Sequence, residues 1–120
     1  KKAIKVFNNG DLSRDFTFIG DIVKGVLSTL LKESNDRSLC KLYNIGNSTP
    51  VQLMNFIKSI ENNLGVVAKK EMLPMQAGDV NKTWADVSSL QKDYHYKPNT
   101  SINQGVEAFI EWYKTYYKIK

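Results

Sequence analysis

The sequence predicts an α/β fold in a single domain. Four segments carry apolar residues at helical spacing, and short β-branched or aromatic runs that end in turn residues lie between them. The 120 residues are 42% hydrophobic, which supports one domain with an apolar core and is too much for a disordered chain. We therefore expect four helices with three or four short strands within residues 1–120.

Two strand-like segments and a helix are predicted at the start of the chain. Residues 4–7 alternate apolar and polar side chains and run into the turn signature of residues 8–11. Residues 15–19 are aromatic and β-branched, which favours a second strand. From Asp21 the apolar residues recur at helical spacing, and this predicts an amphipathic helix that ends at residues 35–36. Its apolar stripe comprises Val23, Val26, Leu27, Leu30 and Leu31.

A strand, a helix and another strand are predicted in the middle of the chain. Residues 42–46 form a short apolar run before turn residues, which is typical of a strand. Thr49 is placed to cap the next helix, with Pro50 at its first position and Gln52 completing a capping box. Gly65 is its expected stop, and residues 66–73 predict a strand.

Two helices are predicted at the end of the chain. Asp86 is expected to cap a short helix, and residues 97–99 break it. Thr100 or Ser101 then starts the last helix, whose apolar face comprises Ile102, Val106, Phe109, Ile110 and Tyr113. The tyrosines and lysines that follow predict a packed helix with its lysine heads in water.

Composition excludes few kinds of partner. The 17 basic against 12 acidic residues give a net charge of +5, which attracts phosphates, anionic sugars and nucleic acids alike. A basic nucleic-acid-binding module stays open as an alternative, but no basic stripe with interleaved aromatic residues favours it. No stretch of about 20 apolar residues predicts a membrane span. The single cysteine, Cys40, excludes an internal disulfide, and a cytoplasmic protein is therefore expected.

The sequence has no recognisable catalytic, nucleotide-fingerprint or metal motif. Neither a G-x-G-x-x-G run nor a phosphate-binding P-loop is present. His95 and Cys40 are the only soft metal ligands and lie far apart, so no metal site is predicted. No serine lies in a nucleophile motif that His95 would serve.

Three residues are of types suited to binding a sugar that carries an anionic group. Arg14 follows a glycine-containing turn, and arginine grips phosphate through two parallel hydrogen bonds. Asp79 follows Gly78 in a sharp turn and suits vicinal ribose hydroxyls, while Phe7 could stack on a flat base. Each has a plainer alternative, namely an Arg–Asp surface ion pair, an ordinary turn aspartate and a core phenylalanine.

Several segments together resemble a known enzyme family. Residues 4–10 and 13–23 contain V-F-N-N-G and S-R-D-F-T-F-I-G-D-I-V, and residues 43–47 read Y-N-I-G-N. Residues 73–80 read L-P-M-Q-A-G-D-V, and residues 84–88 read W-A-D-V-S. In this order and spacing they resemble NAD-dependent nucleotide-sugar epimerases of the extended short-chain dehydrogenase/reductase family, closest to UDP-glucuronate 4-epimerases.

The resemblance implies that the chain is the C-terminal, substrate-binding portion of such an enzyme, with the Rossmann half missing. NAD and the catalytic Tyr-x-x-x-Lys pair then belong to that half, no catalytic residue lies in this chain, and the chain alone is expected to be inactive. Residues 20–46 would pack on the absent half, so that the isolated chain exposes an apolar surface and self-associates, while the full-length enzyme is a homodimer.

The implied reaction inverts C4 of a UDP-hexose or UDP-hexuronate through a 4-keto intermediate, for cell-surface polysaccharide precursors. A dehydratase or decarboxylase of the same superfamily is the alternative.

The resemblance also implies a substrate site at the UDP end. Val6 and Phe7 would line the uracil, Arg14 would hold the diphosphate and Asp79 would contact the ribose. Gln76 stands where UDP-galactose epimerases have an arginine, and fits the glucuronate branch. Gly20 also departs from the family pattern, in which a second acidic residue is common at this position.

Overall fold

The computed structural model describes residues 2–31 and 40–119. Within that part the chain forms four α-helices, four short strands and a 3-10 turn, which confirms the predicted α/β fold with four helices. The strands are β1, Ile4–Val6; β2, Ser13–Arg14; β3, Val51–Gln52; and β4, Lys70–Met72. The helices are α1, Ile19–Leu31; α2, Leu53–Leu64; α3, Ser88–Tyr94; and α4, Ile102–Tyr116.

The strands form two separate two-stranded sheets. β1 and β4 run parallel, with Ile4 opposite Lys70, and β2 and β3 run antiparallel, with Ser13 opposite Gln52. An isolated bridge adds Lys82 to the other side of Ser13. Each pair therefore joins the start of the chain to a segment far along the sequence.

A left-handed turn, Phe7–Gly10, redirects the chain between β1 and β2. Its residues Asn8, Asn9 and Gly10 have φ values of 48°, 49° and 83°, a region that asparagine and glycine tolerate best. A Cβ at Gly10 would lie 2.7 Å from Sδ of Met54. The turn is thus tight both in its backbone and against α2.

The strands predicted at residues 15–19 and 42–46 are wrong. Residues 15–18 form no strand, α1 begins at Ile19, and residues 42–46 join no ladder. Side chains hold these segments instead, since the Tyr96 hydroxyl donates to the carbonyl of Gly46 at 3.1 Å. Apolar and aromatic content predicted strands here, but the peptide groups find other partners.

The start of α2 also differs from the prediction. The capping box of Thr49 and Gln52 is wrong, because Gln52 pairs with β2 and its side chain caps nothing. The N–H of Leu53 then donates to the carbonyl of Leu12 at 2.7 Å. The stop at Gly65 is confirmed by its left-handed φ of 66°.

The remaining boundaries largely follow the sequence. Only part of residues 66–73 is a strand, the segment that forms β4. The N-cap of α3 is Val87 rather than the predicted Asp86 and has no side-chain cap, although Asp86 Oδ1 accepts the N–H of Ser88 at 2.9 Å. Ser101 and Gln104 form a capping box at the start of α4, which confirms Ser101 as its start signal.

α1 docks through small and polar residues rather than through its apolar stripe. Asp21 is 1% exposed, and a Cβ at Gly25 would lie 3.0 Å from the ring of Tyr96. The stripe is exposed along its whole length, at Val23, Val26, Leu27, Leu30 and Leu31. The helix end predicted at residues 35–36 lies outside the described residues.

The buried core is small and the molecule is extended. One buried cluster comprises Val87, Leu90, Tyr94 and Tyr96. α2 also packs on α4, and each of these helices has buried apolar residues, namely Ile57, Val106 and Ile110. Tyr116 at the end of α4 and Tyr117 after it are exposed, so the prediction that they belong to a packed face is wrong. The radius of gyration is 17.5 Å, whereas a compact domain of this length has about 14 Å.

Candidate functional site

Two predicted site residues, Arg14 and Asp79, meet at the edge of β2. Asp79 ends a turn in which Gly78 has a φ of 82° and the Asp79 N–H donates to the carbonyl of Gln76 at 3.2 Å. The backbone of Ser13 then pairs on both sides of Lys82, since its N–H donates to Asn81 and its carbonyl accepts from Thr83. This pairing fixes the turn beside Arg14.

The Arg14 guanidinium and the Asp79 carboxylate form an ion pair. Arg14 Nη2 lies 2.7 Å from Asp79 Oδ1, with the two side chains 27% and 30% exposed. Arg14 Nη1 donates to the carbonyls of Ser13 at 2.9 Å and of Asn81 at 3.3 Å. The Arg–Asp pair that was the plainer interpretation is thus present, and one edge of it faces solvent.

The other predicted residues lie around this pair. Gln76 is exposed at the opposite end of the Asp79 turn, and Phe7 is half-buried at the start of the left-handed turn. The amide of Asn8, next to Phe7, donates to Asn81 Oδ1 at 3.4 Å. Val6 is 1% exposed as a whole residue, and its carbonyl accepts the N–H of Leu73 at 2.9 Å.

A residue that the sequence interpretation missed, Asp15, organises the floor beside the pair. Its two carboxylate oxygens accept the N–H groups of Asn47, Ser48 and Ala85 at 2.9–3.1 Å and the hydroxyl of Thr17 at 3.2 Å. One carboxylate therefore joins three segments of the chain. An acidic residue directly before an aromatic run was the available signal, because such a carboxylate is costly to bury unless it is hydrogen-bonded.

Asp21 plays the same role at the start of α1. Its carboxylate accepts the N–H groups of Asn99 and Thr100 and an ammonium contact from Lys24 at 3.3 Å. Burial acts to raise the pKa of Asp21, but these hydrogen bonds, led by Thr100, hold that pKa below its ordinary value. Burial raises the pKa of the neighbouring Tyr96 hydroxyl.

An apolar pocket of about 540 Å³ lies between α2, α4 and residues 16–19. The rings of Phe16 and Phe56 stack in it with centroids 4.0 Å apart. The ring of Phe18 lies between two glycines, since a Cβ at Gly20 would be 2.9 Å away and one at Gly105 3.3 Å away. A glycine at position 20, where the resembled family commonly has an acidic residue, thus leaves room for the ring of Phe18.

The described residues do not fit an NAD site. β3 runs directly into α2 with no glycine-rich turn between them, and the glycine turn after β1 leads to β2 rather than to a helix. Within residues 2–31 and 40–119, no group of three metal-ligating side chains comes together. No helix in the described part is long and apolar enough to cross a membrane.

Known proteins resemble this chain in sequence. No family profile matches it. Protein CapI of Staphylococcus aureus is 40% identical over 131 residues, which cover 98% of this chain and 39% of CapI. UDP-glucuronate 4-epimerase 2 of Arabidopsis thaliana is 37% identical over 98% of this chain and 30% of its own length. The chain thus spans well under half the length of these relatives.

Solved structures also resemble this chain. UDP-glucuronic acid 4-epimerase from Bacillus cereus, in complex with UDP-glucuronic acid and NAD, matches 97% of this chain and 36% of its own, with a TM-score of 0.83 and 30% identity. The chain matches part of a UDP-glucuronate 4-epimerase. UDP-glucose 4-epimerase from Bifidobacterium longum shares the fold at a TM-score of 0.83 and 22% identity. The resemblance predicted from the motifs, to the C-terminal portion of an extended short-chain dehydrogenase/reductase that uses NAD, is confirmed.

Proposed function

We propose that this chain is the UDP-binding part of an NAD-dependent UDP-sugar 4-epimerase whose substrate is UDP-glucuronate or UDP-galacturonate. The observation that carries the proposal is the meeting of Arg14 and Asp79, which are 65 positions apart, in a partly exposed ion pair beside β2. Two proteins named as UDP-glucuronate 4-epimerases match 98% and 97% of this chain. A guanidinium next to a carboxylate provides one group for a diphosphate and one for the adjoining ribose.

The chain's own residues bind and orient the nucleotide end. Main-chain carbonyls hold Arg14 at Nη1, and its Nη2 edge, which contacts Asp79, is the one that we assign to a phosphate. Asp79 accepts hydrogen bonds from ribose hydroxyls, and the half-buried ring of Phe7 offers an apolar face to uracil. Gln76, neutral and exposed on the same turn, adds hydrogen bonds without a further positive charge.

The oxidation and reduction at C4 require groups outside this chain. NAD supplies reversible hydride chemistry, and we assign its site and the catalytic tyrosine and lysine to a Rossmann half of a longer protein. The exposed apolar stripe of α1 supports this, because such a face is suited to packing against another domain. The chain alone then binds the UDP-sugar but does not catalyse its epimerisation. The longer protein acts in the cytoplasm on polysaccharide precursors.

A titration tests the proposal. UDP and UDP-glucuronate are expected to raise the melting temperature of the chain, and Arg14→Ala to abolish the rise, because the diphosphate loses its guanidinium. Lys41→Ala is the matched control, since Lys41 forms an ion pair with Asp93 elsewhere on the surface. Salt-sensitive binding of an oligonucleotide with no response to UDP would instead support the nucleic-acid alternative.

A further inference from the structure

The two edges of the Arg14 guanidinium are held in different ways. Nη1 donates to the neutral carbonyls of Ser13 and Asn81, at 2.9 and 3.3 Å. Nη2 instead contacts the charged carboxylate of Asp79 at 2.7 Å. Because the main chain fixes Nη1, the guanidinium keeps its position if Asp79 leaves. The edge of Arg14 that Asp79 covers is therefore the exchangeable one.

Asp79 is also held independently of Arg14. Its Oδ1 accepts the N–H of Val80 at 2.8 Å, and its own N–H closes the turn onto Gln76. The ion pair is about 30% exposed on both sides, and partly exposed ion pairs are weak enough to be exchanged. A pyrophosphate group carries more negative charge than a carboxylate and matches the same fork of N–H donors.

We propose that Asp79 competes with the diphosphate of the substrate for the Nη2 edge of Arg14, and so acts as a selectivity filter. A ligand that takes this edge leaves the Asp79 carboxylate without its cationic partner. Only a ligand with hydroxyl donors next to its diphosphate, as in a ribonucleoside diphosphate, restores hydrogen bonds to Asp79. Bare pyrophosphate does not. This inference rests on the UDP site proposed above.

The test compares UDP with inorganic pyrophosphate, titrated calorimetrically at low ionic strength into the full 120-residue chain. Asp79→Asn is expected to tighten pyrophosphate binding about two- to fivefold, the range of a partly exposed ion pair. It is also expected to narrow the preference for UDP over pyrophosphate. In an Arg14→Gln background, Asp79→Asn should change pyrophosphate affinity no more than the loss of one negative charge does in Asp11→Asn, because no guanidinium is left to release.

Asp11→Asn is the matched control for charge. It removes the same charge from an exposed aspartate close in sequence to Arg14, and should change pyrophosphate affinity less than Asp79→Asn. Urea unfolding verifies that every variant is folded.

Three results separate the possibilities. Unchanged or weaker pyrophosphate binding in Asp79→Asn would overturn the competition. Absence of pyrophosphate binding in all variants would overturn it too, since Arg14 would then be no anion site. Tighter pyrophosphate binding in Asp79→Asn, with no preference of the unaltered chain for UDP, would uphold the competition and reject the UDP site.

Discussion

Two aspartates of one segment, Asp15 and Asp21, hold together parts of the chain that are distant in sequence. Asp15 gathers the backbone around residues 47–48 and at Ala85, and Asp21 gathers residues 99–100. Each supplies acceptors to N–H groups that no strand or helix satisfies. The segment that carries Arg14 thus stabilises the fold through its two carboxylates, next to the guanidinium that we propose as the diphosphate site.

Asp21 makes stability depend on pH. Its pKa is lowered below the ordinary value of 3.8 in the folded chain, so its contribution is present above that value and is lost as pH falls through the lowered pKa. Asp21→Asn is expected to cost roughly 1–3 kcal/mol at neutral pH. It should also flatten the acid side of the curve of unfolding free energy against pH.

Urea unfolding between neutral pH and about pH 3 measures this. Glu61, Asp86 and Asp93 also have lowered pKa values, so some acid dependence remains in the variant. Asp11→Asn, at an exposed position, is the control. A variant curve parallel to that of the unaltered chain at acid pH would contradict the role of Asp21.

Among the elements, the left-handed turn at Phe7–Gly10 is the most constrained. Gly10→Ala should destabilise the chain by about 1–3 kcal/mol, because alanine is strained at this φ and its Cβ would press on Met54. Gly65→Ala is the matched control. Gly65 also has a positive φ but open space around it, so only the backbone cost of about 1 kcal/mol applies. Equal losses in denaturant unfolding would contradict the packing contribution.

The elements also show what sequence can and cannot predict. The stop at Gly65 and the cap at Ser101 depend on near neighbours, and these predictions are confirmed. The predicted apolar face of α4 is confirmed only in part, since Val106 and Ile110 are buried whereas Phe109 and Tyr113 are exposed. The absent strand at residues 42–46 depends on Asp15 and Tyr96, which are distant in sequence. Side-chain composition alone carries no information on such partners.

The candidate site was likewise only partly predictable from the sequence. The motif identified Arg14 and Asp79, but their direct contact depends on the pairing of Ser13 with Asn81 and Thr83. That pairing is a single bridge, for which the local sequence has no pattern. The burial of Val6 likewise follows from the parallel pairing of β1 with β4 rather than from its own alternation.

For the molecule as a whole, exposed apolar surface is the dominant feature. The α1 stripe is expected to make the isolated chain self-associate, because burial of such a face is favourable by roughly 25 cal/mol per Å². Leu30→Lys, at a position 72% exposed, should shift the sedimentation profile toward monomer. Val67→Lys, at a position 82% exposed and outside residues 20–46, is the control. A monomer at every concentration of the unaltered chain would contradict this expectation.

The parallel pairing of β1 with β4 has a consequence for the order of folding. β1 lies near the start of the chain, and its partner Lys70–Met72 is synthesised much later. Closing so long a loop is slow, because its entropy is lost before the contacts form. During synthesis the pairing of β1 with β4 therefore waits until residue 72 has left the ribosome, and a product that stops earlier leaves this edge of β1 open, an edge prone to aggregation.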